Sequence, residues 1–513
     1  MLTDERVRAG ARDPSRASTP WRAVPSISTL VPSLYQVAAL AVLGAILIIG
    51  LAPRLDTDFW WHLKDGSYIA ARHVVPSHDF MSYTFRGHAW TDHEWLAELI
   101  LYGLYRLAGL WGPIVFFAAI ICATFALVYA NMALRGLNKV LALFILAGAF
   151  VESTASWGPR IQMMTLFFLS AYMLLLIRYE QTRDRRLLLF FPALMVVWTN
   201  VHGGFVLGLA VLALTLAGET INRARHHENA LEAGELKLLG FALAACVAVT
   251  MINPNGVRQL LYPLTFILPN AYTNLIEESA SPNFHMPVMM VFEGMLLLLI
   301  SVFYASKARL NWTHLFLIIA FTHLAFSQVR NVPLWSVVVA PLLALYVQQM
   351  LPVSTRIRRP MKGGMKSVIN MALLALVLLV YVTEGTHFIN GITLRQAETQ
   401  NYPAGAIAYM GHHRLPPHVF VSYGWAGYML WHLFPRYQDY MDSRADTLYN
   451  RKILTGYLDM YAAHANWRHA LQTFGVQTVL VERNAPLSQV LAEDRSWRLA
   501  YRDTATMLYY HRR

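Results

Sequence analysis

Eleven stretches of this chain are apolar over most or all of the length needed to cross a bilayer. They centre on residues 35–53, 112–131, 138–152, 162–177, 187–200, 203–219, 236–252, 286–305, 312–327, 332–351 and 367–383. Nothing else in the sequence restricts the fold as strongly. Inside hydrocarbon every backbone N–H and C=O must be satisfied within the protein, and runs of roughly 20 residues do this as α-helices. The composition agrees: 56% hydrophobic and 14% charged residues are too apolar a mixture for a soluble multi-domain chain. The reading is a polytopic α-helical membrane protein with about eleven transmembrane helices.

The placement of charge orients it. A polar tail, residues 1–34, carries Arg6, Arg8, Arg12, Arg16 and Arg22. The apolar run behind it is longer than a signal-peptide core and has no small-x-small cleavage pattern, so it reads as an uncleaved anchor. With the N-terminus in the cytoplasm and the spans alternating, inside segments hold 21 of the 42 Lys and Arg, and outside loops before residue 384 hold 8. The other 13 lie in the C-terminal segment. This is the asymmetry of the positive-inside rule. The net charge of +12 is therefore mostly topological and implies no nucleic-acid partner. Cys122 and Cys246 lie in apolar runs and read as small buried hydrophobes, not as a disulfide framework or a zinc site.

Three regions follow: the tail 1–34, a membrane domain 35–383 and an extracytoplasmic domain 384–513. The largest outside loop, 54–111, reads as two interfacial helices, DFWWHLKDGSYIAARHV and HEWLAELILYGLYRLAG. Trp60, Trp61, Trp90 and Trp95 suit a headgroup layer. Thr91 with Glu94 resembles a capping box for the second helix. Beyond the last span the chain is polar enough to leave the membrane. VFVSY (419–423), VQTVLVE (476–482), WRLAYRD and TATMLYYH read as strands; GWAGYMLWHLF and about 447–463 read as helices. The expectation is a small α/β domain.

RLDTDFWWHLKDG, immediately after the first span, holds the strongest candidates for chemistry. Carboxylates at a membrane mouth are functional candidates by default. Asp56 and Asp58 can share a cation, or one can act as a base while the other tunes it. Asp56 can equally be a helix cap, although a cap needs one carboxylate and not two. Asp58 and His62 share a helix face. Asp92, His93, Glu94 and Glu98 form a second cluster, whose carboxylates also suit a helix first turn. Five histidines, at 62, 73, 78, 88 and 93, lie in this one loop. With Asp56, Asp58 and Glu94, His62 and His93 are candidate ligands for a divalent cation (Mg²⁺, Mn²⁺ or Zn²⁺), though no spacing matches a strong metal signature.

Alternation brings further polar groups to the same side: Glu152, Arg160 and Gln162; Asn200, His202, Gly203 and Gly204; residues 253–256; Glu277 and Glu278; Arg330 and Asn331. Arg160 and Arg330 are the cations expected on a phosphate, because guanidinium forks bind it bidentately. The competing reading for each is interfacial snorkelling. Glu293 lies within a span, as a functional or a packing carboxylate. Trp425, Tyr428 and Trp431 stack on a sugar or, as their spacing favours, on the core of their own domain.

This pattern resembles the GT-C superfamily of polyprenyl-phosphate-dependent glycosyltransferases, most closely the bacterial branch of the protein O-mannosyltransferase and aminoarabinose transferase families. The resemblance rests on the layout and on Asp56-Thr57-Asp58, which is similar to the family's modified DxD; HEWLAE, NVHGG and RNVP look like further stations of a bacterial subgroup. It implies a multi-pass inner-membrane enzyme with a cytoplasmic N-terminus. A flipped lipid-phosphate-linked sugar would enter from the bilayer, Asp56 or Asp58 would take a proton from the acceptor, and the anomeric carbon would invert. Arg160 and Arg330, with Asn200 and His202, would hold the donor phosphate; His62, His93 and Glu94 would support the acidic pair, with or without a metal. By its place in the motif Asp56 ranks above Asp58. Many relatives carry adjacent Asp-Glu instead, so the choice of base and any metal requirement stay open. The acceptor is lipid, polysaccharide or protein. The alternatives are a transporter or flippase of the lipid-linked sugar and an inactive scaffold.

Overall fold

The computed structural model describes residues 32–263, 277–306, 310–351, 363–389 and 391–512. The arginine-bearing tail and most of the basic stretch 356–366 lie outside these. All eleven apolar runs fall on helices. They are α1 (Leu34–Gly50), α4 (Trp111–Leu134), α5 (Lys139–Ser153), α6 (Gln162–Thr182), α7 (Phe190–Val201), α8 (Phe205–Ala224), α9 (Ala233–Val249), α10 (Pro287–Ala305), α11 (Trp312–Ser327), the pair α12 (Val332–Val338) and α13 (Ala340–Met350), and α14 (Gly363–Ile389). Among the described residues six helices are long and apolar enough to cross a membrane, and seven if the pair bent by 50° at Val339 counts as one. Helices α1, α7, α9 and α11 have 17, 12, 17 and 16 residues, short of the roughly 20 of a full crossing.

The loop after α1 folds as two packed helices, α2 (Phe59–Arg72) and α3 (Trp95–Ala108). Thr91 and Glu94 do not form the expected capping box. Glu94 is itself the N-cap and makes no side-chain cap hydrogen bond, because its carboxylate is turned toward histidines. Helices α2 and α3 meet at Gly66, where an added Cβ would stand 2.1 Å from the Glu98 carbonyl oxygen. A backbone atom has no rotamer by which to yield. Gly66→Ala is therefore expected to lower stability by about 3 kcal/mol or more, read as a fall in the thermal midpoint of the purified protein. An unchanged midpoint would show that this packing is slack.

Helix α14 runs to Ile389, and α15 (Gly391–Asn401) and α16 (Ala404–His412) lead into the C-terminal α/β unit. Its sheet has the order β2-β1-β3-β5-β4. Strand β1 (His418–Val421) runs parallel to β2 (Gln438–Asp439) and β3 (Thr478–Glu482); β5 (Thr506–His511) is antiparallel to β3 and to β4 (Trp497–Arg502). Four of these strands match the alternation in the sequence; β2, of two residues, is too short to show there. Helix α17 (Ala426–Leu433) packs on α2, with Gly427 flush against Trp61 N and Thr57 O.

This docking changes the expected role of the tryptophans. Trp60, Trp61 and Trp90 are buried inside the protein. Trp60 packs edge-on against Tyr402 and Tyr428, 5.7 and 4.9 Å away between ring centres. The C-terminal unit covers rings that the sequence alone assigned to headgroups. Tyr428 is buried in this packing and Trp431 lies edge-on to Tyr105, so both serve the core.

Candidate active site

Between Pro53 and α2 the chain has no regular secondary structure, and Asp56 lies three residues before the first residue of α2. Asp56 uses both carboxylate oxygens. Oδ1 accepts the N–H groups of Asp58 (3.2 Å), the N-cap of α2, and of Phe59 (3.0 Å), its first residue. Oδ2 lies 2.6 Å from Nε of Arg160, in the turn between α5 and α6. The cap reading and the charge reading are thus both realised in one residue. The Arg160 fork is completed by Glu278, with Nη1–Oε1 2.6 Å and Nη2–Oε2 2.7 Å. One guanidinium therefore bridges two carboxylates from remote segments. Burial pushes Asp56 up to about 6 and outweighs the pull of Arg160. Its side chain is still 18% exposed. Asp58 accepts from Trp61 Nε1 (3.2 Å); burial raises its carboxyl, opposed by hydrogen bonds from Ser443 and Trp61 and by Arg160. Arg330 is exposed, donates to Gln328 (2.8 Å), and acts electrostatically on Glu278 and His202.

Glu94 is the centre of the second cluster. Its oxygens lie 3.4 Å from His62 Nε2, 3.4 Å from His93 Nε2 and 3.3 Å from His202 Nε2. Burial works against the Glu94 charge, but His93, His202 and His62 outweigh it and hold the carboxyl at about 2. Burial pushes His62 and His202 down to about 4, so both rings are neutral at pH 7. Burial also opposes charge on His93, but there Glu94 and Asp92 prevail and raise it. His202 Nδ1 accepts from Gly204 N–H (2.8 Å), which assigns the ring proton to Nε2, the nitrogen that faces Glu94 at 3.3 Å. His62 Nδ1 lies 2.9 Å from Glu98, whose carboxyl burial raises far above its usual range.

Among the described residues no three His, Cys, Asp or Glu side chains form a group suited to a metal ion. The chemistry of the donors gives the reason. Asp56 faces a guanidinium, and His202 presents a proton, not a lone pair, toward Glu94. Asp56 is thus engaged by Arg160, and Glu94 by His62, His93 and His202.

The remaining candidates divide clearly. Asn200 accepts from Trp95 Nε1 (2.8 Å) and donates to the carbonyls of Val196 (2.7 Å) and Ile252 (2.9 Å), so its amide ties helix ends together. Asn255 and Gln259 donate to the carbonyls of Asp92 (2.7 Å) and His93 (3.2 Å) and hold the backbone under the cluster. Glu152 is buried and accepts from Ser336 (2.6 Å). Glu293 is exposed on its helix and is not a packing residue, and His73, His78 and His88 are exposed too. Thr165 was not anticipated; it orients His202 at 2.9 Å, but a lone Thr in an apolar helix carries no signal. The C-terminal unit has a separate cleft of about 300 Å³ beside Trp467, Arg468 and Trp497, which shares no residue with these clusters.

No family model matches the chain, and no curated protein does. Solved structures are similar in fold. ArnT from Cupriavidus metallidurans, bound to undecaprenyl phosphate, aligns over 92% of this chain and 97% of its own, with 14% identity and a TM-score of 0.51. The oligosaccharyltransferase AglB from Archaeoglobus fulgidus, in complex with an inhibitory peptide and a dolichol-phosphate, aligns over 93% of this chain and 74% of its own, with 11% identity and a TM-score of 0.50. The apo form of the Archaeoglobus fulgidus enzyme aligns over 87% and 69%, with 11% identity and a TM-score of 0.50. At such identities the likeness is one of fold, and the fold is the one the sequence resembles, that of the polyprenyl-phosphate-dependent GT-C glycosyltransferases.

Proposed function

We propose that this chain is an integral-membrane glycosyltransferase that moves a sugar from a polyprenyl-phosphate donor to an acceptor at the outer face of the membrane. The observation that carries the reading is the Asp56–Arg160 pair at 2.6 Å, a partly exposed carboxylate beside a fixed guanidinium. It lies in a fold shared with ArnT, which was solved with undecaprenyl phosphate, and AglB, which was solved with a dolichol-phosphate. In this reading all eleven helical stretches cross or enter the inner membrane, the N-terminus is cytoplasmic, and residues 384–513 are extracytoplasmic. The charge asymmetry of the loops supports that orientation.

The chemistry is a single in-line displacement. Asp56 accepts a proton from the acceptor as the acceptor atom bonds to the anomeric carbon. The bond from that carbon to the phosphate oxygen breaks, and polyprenyl phosphate leaves with the electron pair, so the configuration inverts. Glu278 holds the Arg160 fork in the two-point geometry that a phosphate also takes. The donor phosphate replaces Glu278 there, and Arg160 and Arg330 stabilise the charge that develops. No step runs through a metal ion.

The test uses purified protein in vesicles with undecaprenyl phosphate as probe, together with a deletion strain. Saturable binding of undecaprenyl phosphate, but not of undecaprenol, is expected, and EDTA should leave it within about two-fold. The deletion strain should lack one envelope glycan linkage and accumulate a polyprenyl-phosphate sugar. An intact set of linkages refutes the transferase. Donor accumulating only on the cytoplasmic face would identify a flippase instead.

A further inference from the structure

We propose that the Asp442-Ser443-Arg444 turn of the C-terminal unit belongs to the acidic site, with Ser443 positioning Asp58 and Arg444 anchoring the turn. The inference rests on the transferase reading above and extends it to residues about 390 positions further along the chain. The Ser443 hydroxyl donates to the Thr57 carbonyl at 3.3 Å, between the two aspartates, and helps to hold the nearby Asp58 carboxyl down against burial. It therefore holds the backbone that carries Asp58. Trp61 Nε1 donates to the Asp58 carboxylate itself at 3.2 Å. One directional contact on the carboxylate and one on the backbone just before it, from different segments, restrict a carboxylate that has no guanidinium fork of its own.

The anchoring of the turn is strong and specific. Arg444 is 1% exposed. Its Nε and Nη2 grip Asp442 at 2.9 and 2.7 Å, and Nη2 reaches Asp79 of the first loop at 2.8 Å. The guanidinium lies 4.9 Å over the Trp90 ring, also in the first loop. Asp79 is itself held by Met81 N (3.1 Å) and by the Ser82 hydroxyl (2.5 Å). Nearby, Tyr83 N donates to Asp439 O (3.1 Å) and the Thr84 hydroxyl to Tyr440 O (2.5 Å), so first-loop and C-terminal segments are also joined just before the turn. A buried ion triad is costly to desolvate, and well-packed apolar residues would join two units at least as well. What the ions add is direction: the planar fork admits one orientation of the turn, and that orientation sets Ser443 against Thr57 and Asp58.

Ser443 and Arg444 are positioning residues, so binding and turnover should separate. Ser443→Ala is expected to bind undecaprenyl phosphate within about two-fold of the parent. At matched protein level it should restore the missing glycan linkage roughly ten-fold more slowly in the deletion strain. Ser443→Thr keeps the hydroxyl and should restore the parental rate. Arg444→Lys keeps the charge but loses the fork, and should be at least as slow as Ser443→Ala. A parental rate for Ser443→Ala overturns the inference, as does an equal loss of binding and turnover, which a merely structural contact would cause. Asp56→Asn, measured in parallel, separates the two claims. If it is inactive while Ser443→Ala is normal, only this inference fails; if it is fully active, the transferase reading fails with it.

Discussion

Asp56→Asn is expected to slow sugar transfer about 10²- to 10⁴-fold, the usual contribution of a positioned general base. The substitution is a clean one here. Asn is as good a helix cap as Asp, so its oxygen can still accept from the N–H groups of Asp58 and Phe59. What it cannot do is take a proton. The folded protein should therefore be recovered at normal yield with its undecaprenyl phosphate binding intact, while the glycan linkage in the deletion strain stays absent. The parent enzyme should show the same dependence through pH. Burial places Asp56 at about 6, and only the ionised form accepts a proton. Transfer should be level above that pH and fall about ten-fold per unit below it, as a single base requires. A rate that is flat from pH 7 to pH 4.5, or an active Asp56→Asn protein, removes Asp56 from the role.

Arg160→Gln is expected to have the next largest effect, a loss of about 10²- to 10³-fold. Arg160 faces Asp56 and Glu278 together, and removing it leaves two carboxylates without their shared cation. Two consequences follow from one change. The donor phosphate loses its bidentate partner, so undecaprenyl phosphate should bind more weakly. Asp56 also loses the charge that holds its carboxyl down, so its pKa must rise and less of the base is ionised at neutral pH. Any residual activity should then fade at a higher pH than in the parent. Arg160→Lys restores the charge without the fork and should recover the pH profile better than the phosphate binding. If Arg160→Gln binds undecaprenyl phosphate like the parent, the phosphate is held elsewhere and the placement of the donor is wrong.

Much of this site can be read from the chain because its signals are local. A run of apolar residues forms a helix wherever hydrocarbon forbids other backbone, and all eleven runs do so. Alternation then brings every second helix end to one side, which is why Asp56 and Arg160 can be paired on paper although about a hundred residues separate them. The alternating strands of the C-terminal unit are visible for the same reason. Hidden are those features whose cause lies in a distant segment. Glu94 leaves its capping box because His202, from beyond α7, competes for its carboxylate. Asn200 has the right chemistry for a ligand, but Trp95 and the carbonyls of Val196 and Ile252 claim its amide. Trp60 and Trp90 have the composition of a headgroup belt, yet the C-terminal unit covers them.

By itself, then, the sequence determined the helices, their alternation, the strand-rich end and the loop in which the acidic pair lies, since each follows from periodicity or charge within a short window. Only the tertiary structure decided which partner each charged group has. That choice depends on burial and on distances of about 3 Å between remote segments. Periodicity does not encode such distances, as Ser443 against Thr57 and Glu278 in the Arg160 fork both show.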